Sequence, residues 1–280
     1  MKWSWSYNPC QHKYESLKNG FQKIVSWIEG PADKEIDGKF DEQSRQVSTG
    51  GVFGMNMYTP NDIGDRTRQL DDRPYAGWLY KGYQVQAITS KKLKDISKWL
   101  NVSSHTLELQ VGVIGPLSAQ EQVQKFVHKH VTDSKRPVGW DNQIKNTLGL
   151  NVVYLYRRNT FLDKAMKRYR LTTHGGASVG NVMNFINVGA LIALGNPKND
   201  FPMLTIQPSI INDLASEKAN GGREWYLFAG FDYRYILSSI FIEGKGSASH
   251  NISLEPSVYD IFAGITFATK KVILNYLIKL

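Results

Sequence analysis

Segments of strand length in which apolar and polar residues alternate recur along this chain. No apolar run approaches the ~20 residues of a membrane-spanning helix. From Thr106 to Val113 the apolar set is Leu107, Leu109, Val111 and Val113, with Glu108 and Gln110 between them. From Leu150 to Tyr156 it is Leu150, Val152, Tyr154 and Tyr156, blurred by Val153 and Leu155. From Glu224 to Tyr235, Trp225, Leu227, Ala229, Phe231, Tyr233 and Tyr235 oppose Glu224, Asp232 and Arg234, and Tyr259 to Phe267 repeats the pattern around Asp260 and Thr266. A period of two puts successive side chains on opposite faces, so these are strands with two unlike faces.

Eleven strands are expected, near residues 1–7, 50–58, 75–90, 103–114, 148–158, 165–179, 183–195, 222–236, 238–248, 256–268 and 270–279. Several have the ~9–11 residues that a tilted strand needs to cross a bilayer, and many end in Trp or Tyr, as interface girdles do. A soluble sandwich or barrel alternates equally well, so alternation alone leaves both open. An odd count sits badly with single-chain outer-membrane barrels, whose strand numbers are even.

Residues 1–280 are read as one β-barrel domain, with residues 8–48 an irregular, polar insertion capping a barrel mouth. Within it, Leu17, Phe21, Ile24, Val25 and Ile28 form one stripe of a helix from Tyr14 to Ile28, ended near Gly30-Pro31. Pro197 to Gly222 reads as a long loop with one short helix near Ile210 to Glu217. A net charge of +9 favours an anionic partner: phosphate-bearing lipid, nucleic acid or an acidic surface. The single cysteine, Cys10, leaves no intramolecular disulfide. Lys2 to Tyr7 alternates like a strand and not like a charged-then-apolar leader, as expected of a chain that stays where it is made or of a piece of a longer exported one.

Two blocks carry candidate chemistry. Gln120 to Gln143 holds a short amphipathic helix, near 118–131, followed by Gly139-Trp140-Asp141-Asn142-Gln143. Gln124 and His128 lie one turn apart on it and can act on one substrate, the imidazole as a general base. A solvated or packed histidine is the commoner reading of such a position. His128 and His130 point to different sides of a helix, against a shared metal. Met57 to Tyr80 carries Asp62, Asp65, Asp71 and Asp72 with Arg66, Arg68 and Arg73. Its carboxylates suit a hard cation and its guanidinium groups suit phosphates, and a solvated charged loop suits the spacing better than either.

MYTPNDIG, DDRPYAGWLYKG, HTLELQVGVIGP, EQVQKFVH, GWDNQ and GLNVVYLY, in this order, resemble the outer-membrane lipid A 3-O-deacylases, closely from about Gly50 to Tyr156 and more weakly beyond. The resemblance implies an antiparallel outer-membrane barrel of 12 strands, with an active site at its outer-leaflet end between the wall and an extracellular helix. It implies Ca²⁺-dependent hydrolysis of the 3′-linked acyloxyacyl ester of lipid A. The partner is then lipopolysaccharide and not nucleic acid, and the protein is a monomer. The family's histidine base falls on His128 and its glutamine on Gln124. Asp72, Arg73, Arg66 and Arg68 are candidates for headgroup binding, and the metal ligands stay unassigned. Where the family has a glutamate six residues after the histidine, this chain has Ser134, with Asp133 adjacent. The family's first strand, with an Asn-Asp pair and a Tyr-Thr-Asn-Gly type motif, is expected upstream of Met1 and would bring eleven strands to twelve. An inactive truncated remnant, a non-catalytic barrel binding anionic lipid, and a soluble basic β-protein are the rival readings.

Overall fold

A computed structural model of the chain describes residues 2–5, 15–30, 40–93, 100–131, 134–161, 169–196, 224–244, 252–268 and 273–279. Ten strands form one antiparallel sheet in chain order. They are β1 (Lys2–Trp5), β2 (Phe40–Tyr58), β3 (Ala76–Leu93), β4 (Leu100–Ile114), β5 (Thr147–Phe161), β6 (Tyr169–Gly180), β7 (Met183–Asn196), β8 (Glu224–Ser239), β9 (Ser257–Ala268) and β10 (Ile273–Lys279). Three helices accompany them: α1 (Glu15–Glu29), α2 (Gln120–His130) and the single turn α3 (Ile240–Glu243). The sheet curls on itself, since Phe241 after β8 stacks on Tyr58 at the end of β2, with ring centroids 4.1 Å apart.

The all-β antiparallel architecture matches the alternation, but the described residues hold ten strands where eleven were expected. The strand expected at 238–248 does not form over 240–244. β8 ends at Ser239, and the Ile240 N–H donates to the Val182 carbonyl at 3.0 Å as the chain turns into α3. Ile240-Phe241-Ile242 has a strand's composition, yet Ile240 and Phe241 are buried in an apolar cluster with Val52, Trp78, Tyr80, Ile114, Val182, Phe185 and Ile236. That cluster plugs the barrel at the end where α2 lies, and filling the mouth outweighs continuing the ladder.

The insertion expected over 8–48 is also shorter, because β2 begins at Phe40. Ser44, Arg45 and Gln46 lack apolar alternation since neither face of this part of β2 needs it. One face lines the polar lumen and the other is clamped to α1, where Arg45 donates to Ser26 Oγ at 2.6 Å and to the Gly30 carbonyl at 2.9 Å. The short helix expected near 210–217 lies outside the described residues.

Side-chain direction decides between the soluble and membrane readings. The apolar sets face outward: Ile186, Val188, Ile261 and Tyr259 are 55, 56, 55 and 70% exposed. Their polar neighbours face inward: Gln84, Gln86, Glu108, Asn159, Arg170 and Thr172 are fully buried. A water-soluble barrel has the opposite arrangement. An apolar exterior around a polar lumen is that of an outer-membrane barrel, where lipid takes the place of a core. Within the lumen Asp232 accepts hydrogen bonds from Asn187 Nδ2 at 2.8 Å and Arg234 Nη2 at 2.9 Å, and His174 Nε2 lies 2.9 Å from it. A buried carboxylate needs such partners. Gly189 leaves room for this group, since a Cβ there would meet the His174 ring at 2.4 Å.

Candidate active site

The two blocks singled out in the sequence pack on each other. β4 ends at Ile114, Gly115 takes φ 99°, and a 3₁₀ turn over Pro116–Ser118 leads into α2. Gly77 in β3 marks where this segment lands. Its flanking residues Ala76 and Trp78 belong to the lumenal cluster, so Gly77 faces outward. A Cβ on it would meet Ser118 Oγ at 2.2 Å and Gln120 Cβ at 2.6 Å. Thus α2 lies over the outer face of β2 and β3, flush with the wall. Its other side shows Phe126, 62% exposed, and Lys125 and Lys129.

Gln124 and His128 share the inner side of α2. Gln124 is buried, and its Oε1 accepts the indole N–H of Trp140 at 2.7 Å. Trp140, itself buried in the turn Trp140–Asn142, packs against Tyr75 with centroids 5.0 Å apart. With the amide oxygen engaged, the two N–H donors of Gln124 lie on the opposite side of the amide. His128 is partly exposed. Its Nδ1 lies 2.7 Å from the backbone carbonyl of Lys135, an acceptor only, so Nδ1 carries the proton. The Ser134 hydroxyl is 3.0 Å from the same nitrogen. Nε2 of the neutral ring then holds the lone pair. His130 diverges, its ring lying against Phe126 with centroids 4.9 Å apart.

The loop between β2 and β3 fixes the Lys135 carbonyl from the other side. Lys135 Nζ meets Asp62 Oδ1 at 2.5 Å, and the Val138 N–H donates to the Ile63 carbonyl at 3.0 Å. Tyr75 donates to that same carbonyl at 3.1 Å, and Asn142 Nδ2 donates to the Arg66 carbonyl at 2.9 Å. The ammonium of Lys135, through its hydrogen bond, holds the Asp62 carboxyl below the usual carboxylate range. Burial raises the Tyr75 phenol.

The remaining sequence candidates separate into two roles. Asp72 accepts the Asn61 and Arg73 backbone N–H groups, both at 2.7 Å, which organises the loop. Arg66, Arg68 and Arg73 are exposed, and Arg66 lies 3.7 Å from Asp141 in a solvated ion pair. Asp62 was named only among the carboxylates suited to a cation or a solvated loop, and Trp140 only within the Gly-Trp-Asp-Asn-Gln motif. Lys135 was not singled out, and the partnership of the three is invisible in sequence, because the interlock of two loops far apart along the chain leaves no local periodicity.

Among the described residues the carboxylates of this loop form no calcium cradle. Asp62 is bound to Lys135 and the Gly64 N–H, Asp65 to Thr67, and Asp72 to two backbone N–H groups. Among the described residues no group of three or more His, Cys, Asp or Glu side chains could hold a metal.

An apolar-outside barrel bearing a loop helix against its outer wall at the rim is an outer-membrane β-barrel. The family model described as "Outer membrane protein LpxR" matches residues 9–280, and the chain belongs to that family. The solved structure of LpxR from Salmonella typhimurium is similar in fold, with a TM-score of 0.62 at 19% identity over 91% of this chain and 86% of that one. No curated protein sequence matches the chain.

Proposed function

We propose that this barrel is a lipid A deacylase that hydrolyses the 3′-linked acyloxyacyl ester, with His128 as general base. The observation that carries this reading is the Nδ1–H of His128 held by the Lys135 carbonyl at 2.7 Å, which leaves Nε2 as a proton acceptor of fixed direction. Family membership and the place of α2 on the lipid-facing wall support an ester within a leaflet as the substrate.

In the proposed reaction Nε2 takes a proton from water as the water oxygen bonds to the ester carbonyl carbon. Developing charge on the carbonyl oxygen is met by donors such as the Gln124 amide, oriented by Trp140. The tetrahedral intermediate expels the sugar-side oxygen, which takes the proton back from the imidazolium. The products are a free acyloxyacyl acid and a lipid A hydroxyl. Ser134 stands at the position of the family's glutamate, and its hydroxyl reaches the same imidazole nitrogen. Exposed Arg66, Arg68 and Arg73 suit the phosphates of the headgroup. The Ca²⁺ requirement is part of the proposal, although the described carboxylates do not form its site, so no step above passes through the cation.

The test is turnover of lipid A in heavy-oxygen water by the barrel refolded in detergent, with and without a chelator. Label in the carboxyl of the released acid supports attack of water on the acyl carbon. Retention of lipid A on the barrel with no acid released favours the rival, a non-catalytic binder of anionic lipid.

A further inference from the structure

Helix α1 packs on the wall at the strand ends away from α2. Its buried residues Phe21 and Val25 contact Val47, Val85 and Ala87, with Leu107 beside them. Val47 pairs with Ala87 and Val85 with Leu107, so these four share one face of the sheet. Two residues beyond Leu107 on that face, Leu109 is exposed with the outward apolar set. Helix α1 therefore lies outside the barrel.

Its C-terminal turn is fixed by polar contacts. Glu29 Oε1 lies 2.7 Å from His105 Nε2, and Oε2 accepts the Ser103 hydroxyl at 2.8 Å. Arg45, bound to Ser26 and Gly30, also donates to Thr89 Oγ1 at 2.9 Å. So oriented, α1 turns the rest of its apolar stripe, and Trp27 beside it, away from the protein: Leu17, Ile24, Ile28 and Trp27 are 57, 58, 53 and 88% exposed. Lys18, Asn19 and Lys23 are exposed as well, Asn19 on the side opposite Leu17 and Ile28. The stripe continues the lipid-facing surface of Leu109 and Val152 on the same wall. The Glu29–His105 and Arg45 contacts suit the headgroup boundary better than the hydrocarbon midplane.

We propose that α1 is an interfacial helix. It seats Leu17, Ile24, Trp27 and Ile28 in the acyl–headgroup boundary of the leaflet opposite the one that α2 borders, and its partner is a phospholipid surface. Lys18 and Lys23 lie where they can reach anionic headgroups. This rests on the outward-apolar barrel, and the experiment separates the two. The full chain, with Cys10→Ser, is folded into vesicles of phosphatidylcholine and phosphatidylglycerol carrying nitroxide lipids. A single environment-sensitive label is placed at Ile24→Cys, Asn19→Cys or Ile186→Cys, and heat-modifiable electrophoretic mobility confirms folding of each. The label at 24 is expected to be quenched roughly twofold or more over the label at 19 by shallow nitroxides, and shielded from aqueous iodide. Equal iodide access at 24 and 19, with 186 still quenched by lipid, overturns the interfacial helix and leaves the barrel standing. Iodide access at 186 as well overturns both.

Discussion

Replacing Gly77 with alanine tests the placement of the candidate site through a residue that does no chemistry. The added Cβ would lie 2.6 Å from Gln120 Cβ and 2.4 Å from its Cγ. Ordinary carbon contacts are about 3.5–4.0 Å, so the start of α2 must move by about 1 Å. Rotating a side chain cannot relieve this, because Gln120 Cβ is attached directly to the helix backbone. Gln124 and His128 ride on the same helix, one and two turns further on. A displacement of about 1 Å costs on the order of 10²-fold in rate, or about 2.7 kcal/mol of transition-state stabilisation. The assay is release of acyloxyacyl acid from lipid A by refolded barrel, with electrophoretic heat-modifiability confirming the fold. A second readout is cleavage by trypsin at Lys135-Arg136, expected to quicken as the Lys135 carbonyl loses His128. A Gly77→Ala barrel with a rate within about threefold of the parent and unchanged trypsin sensitivity would mean that α2 does not rest on Gly77 or that its position does not set the rate.

Trp140→Phe removes the donor to Gln124 Oε1 and strands a buried oxygen, expected to cost about 1–3 kcal/mol in urea unfolding from vesicles; no change would mean that water replaces the indole. Val188→Arg on the outward face is expected to cost about 2–4 kcal/mol near the bilayer midplane and less toward an interface, and a neutral result in the same unfolding assay contradicts the assigned face. The Asp62 carboxyl is depressed in the folded chain by Lys135, so its contribution is present above the ordinary carboxylate range and is lost as pH falls through the depressed value. The Asp62 carboxyl, followed by carbon-13 NMR of the folded barrel, is therefore expected to titrate below that range. Lys135→Ala should move it back toward the ordinary range, and an unchanged titration argues against the Asp62–Lys135 link.

The strands of this barrel were legible because a period of two survives whichever face meets lipid. Which face that is was not legible: Leu109 alternates with Glu108 and Gln110 just as a soluble core strand would, and only its exposure shows the inversion. Residues 40–48 have the composition of an insertion and 240–243 that of a strand, and in both places tertiary neighbours decide otherwise. A polar lumen and the clamped α1 make Ser44 to Gln46 strand without alternation, and the open barrel mouth draws Ile240-Phe241 into a plug. The stripe of α1 was read from its spacing, but that only Phe21 and Val25 meet the wall was not. At the site, the shared face of Gln124 and His128 followed from helical spacing. The groups that fix them, the Trp140 indole and the Lys135 carbonyl, come from a loop that no periodicity describes, and the Lys135 contact to Asp62 spans 73 positions.

Whether His128 is the base of a lipid A deacylase is read from the lipid A mass spectrum of cells exporting this barrel, compared with its His128→Ala form. Loss of the acyloxyacyl mass is expected with the parent chain and an unaltered spectrum with His128→Ala, both barrels being folded in the outer membrane. Deacylation that persists in the His128→Ala barrel would contradict the assignment of the base. An unaltered spectrum from the folded parent chain would contradict the enzymatic reading itself.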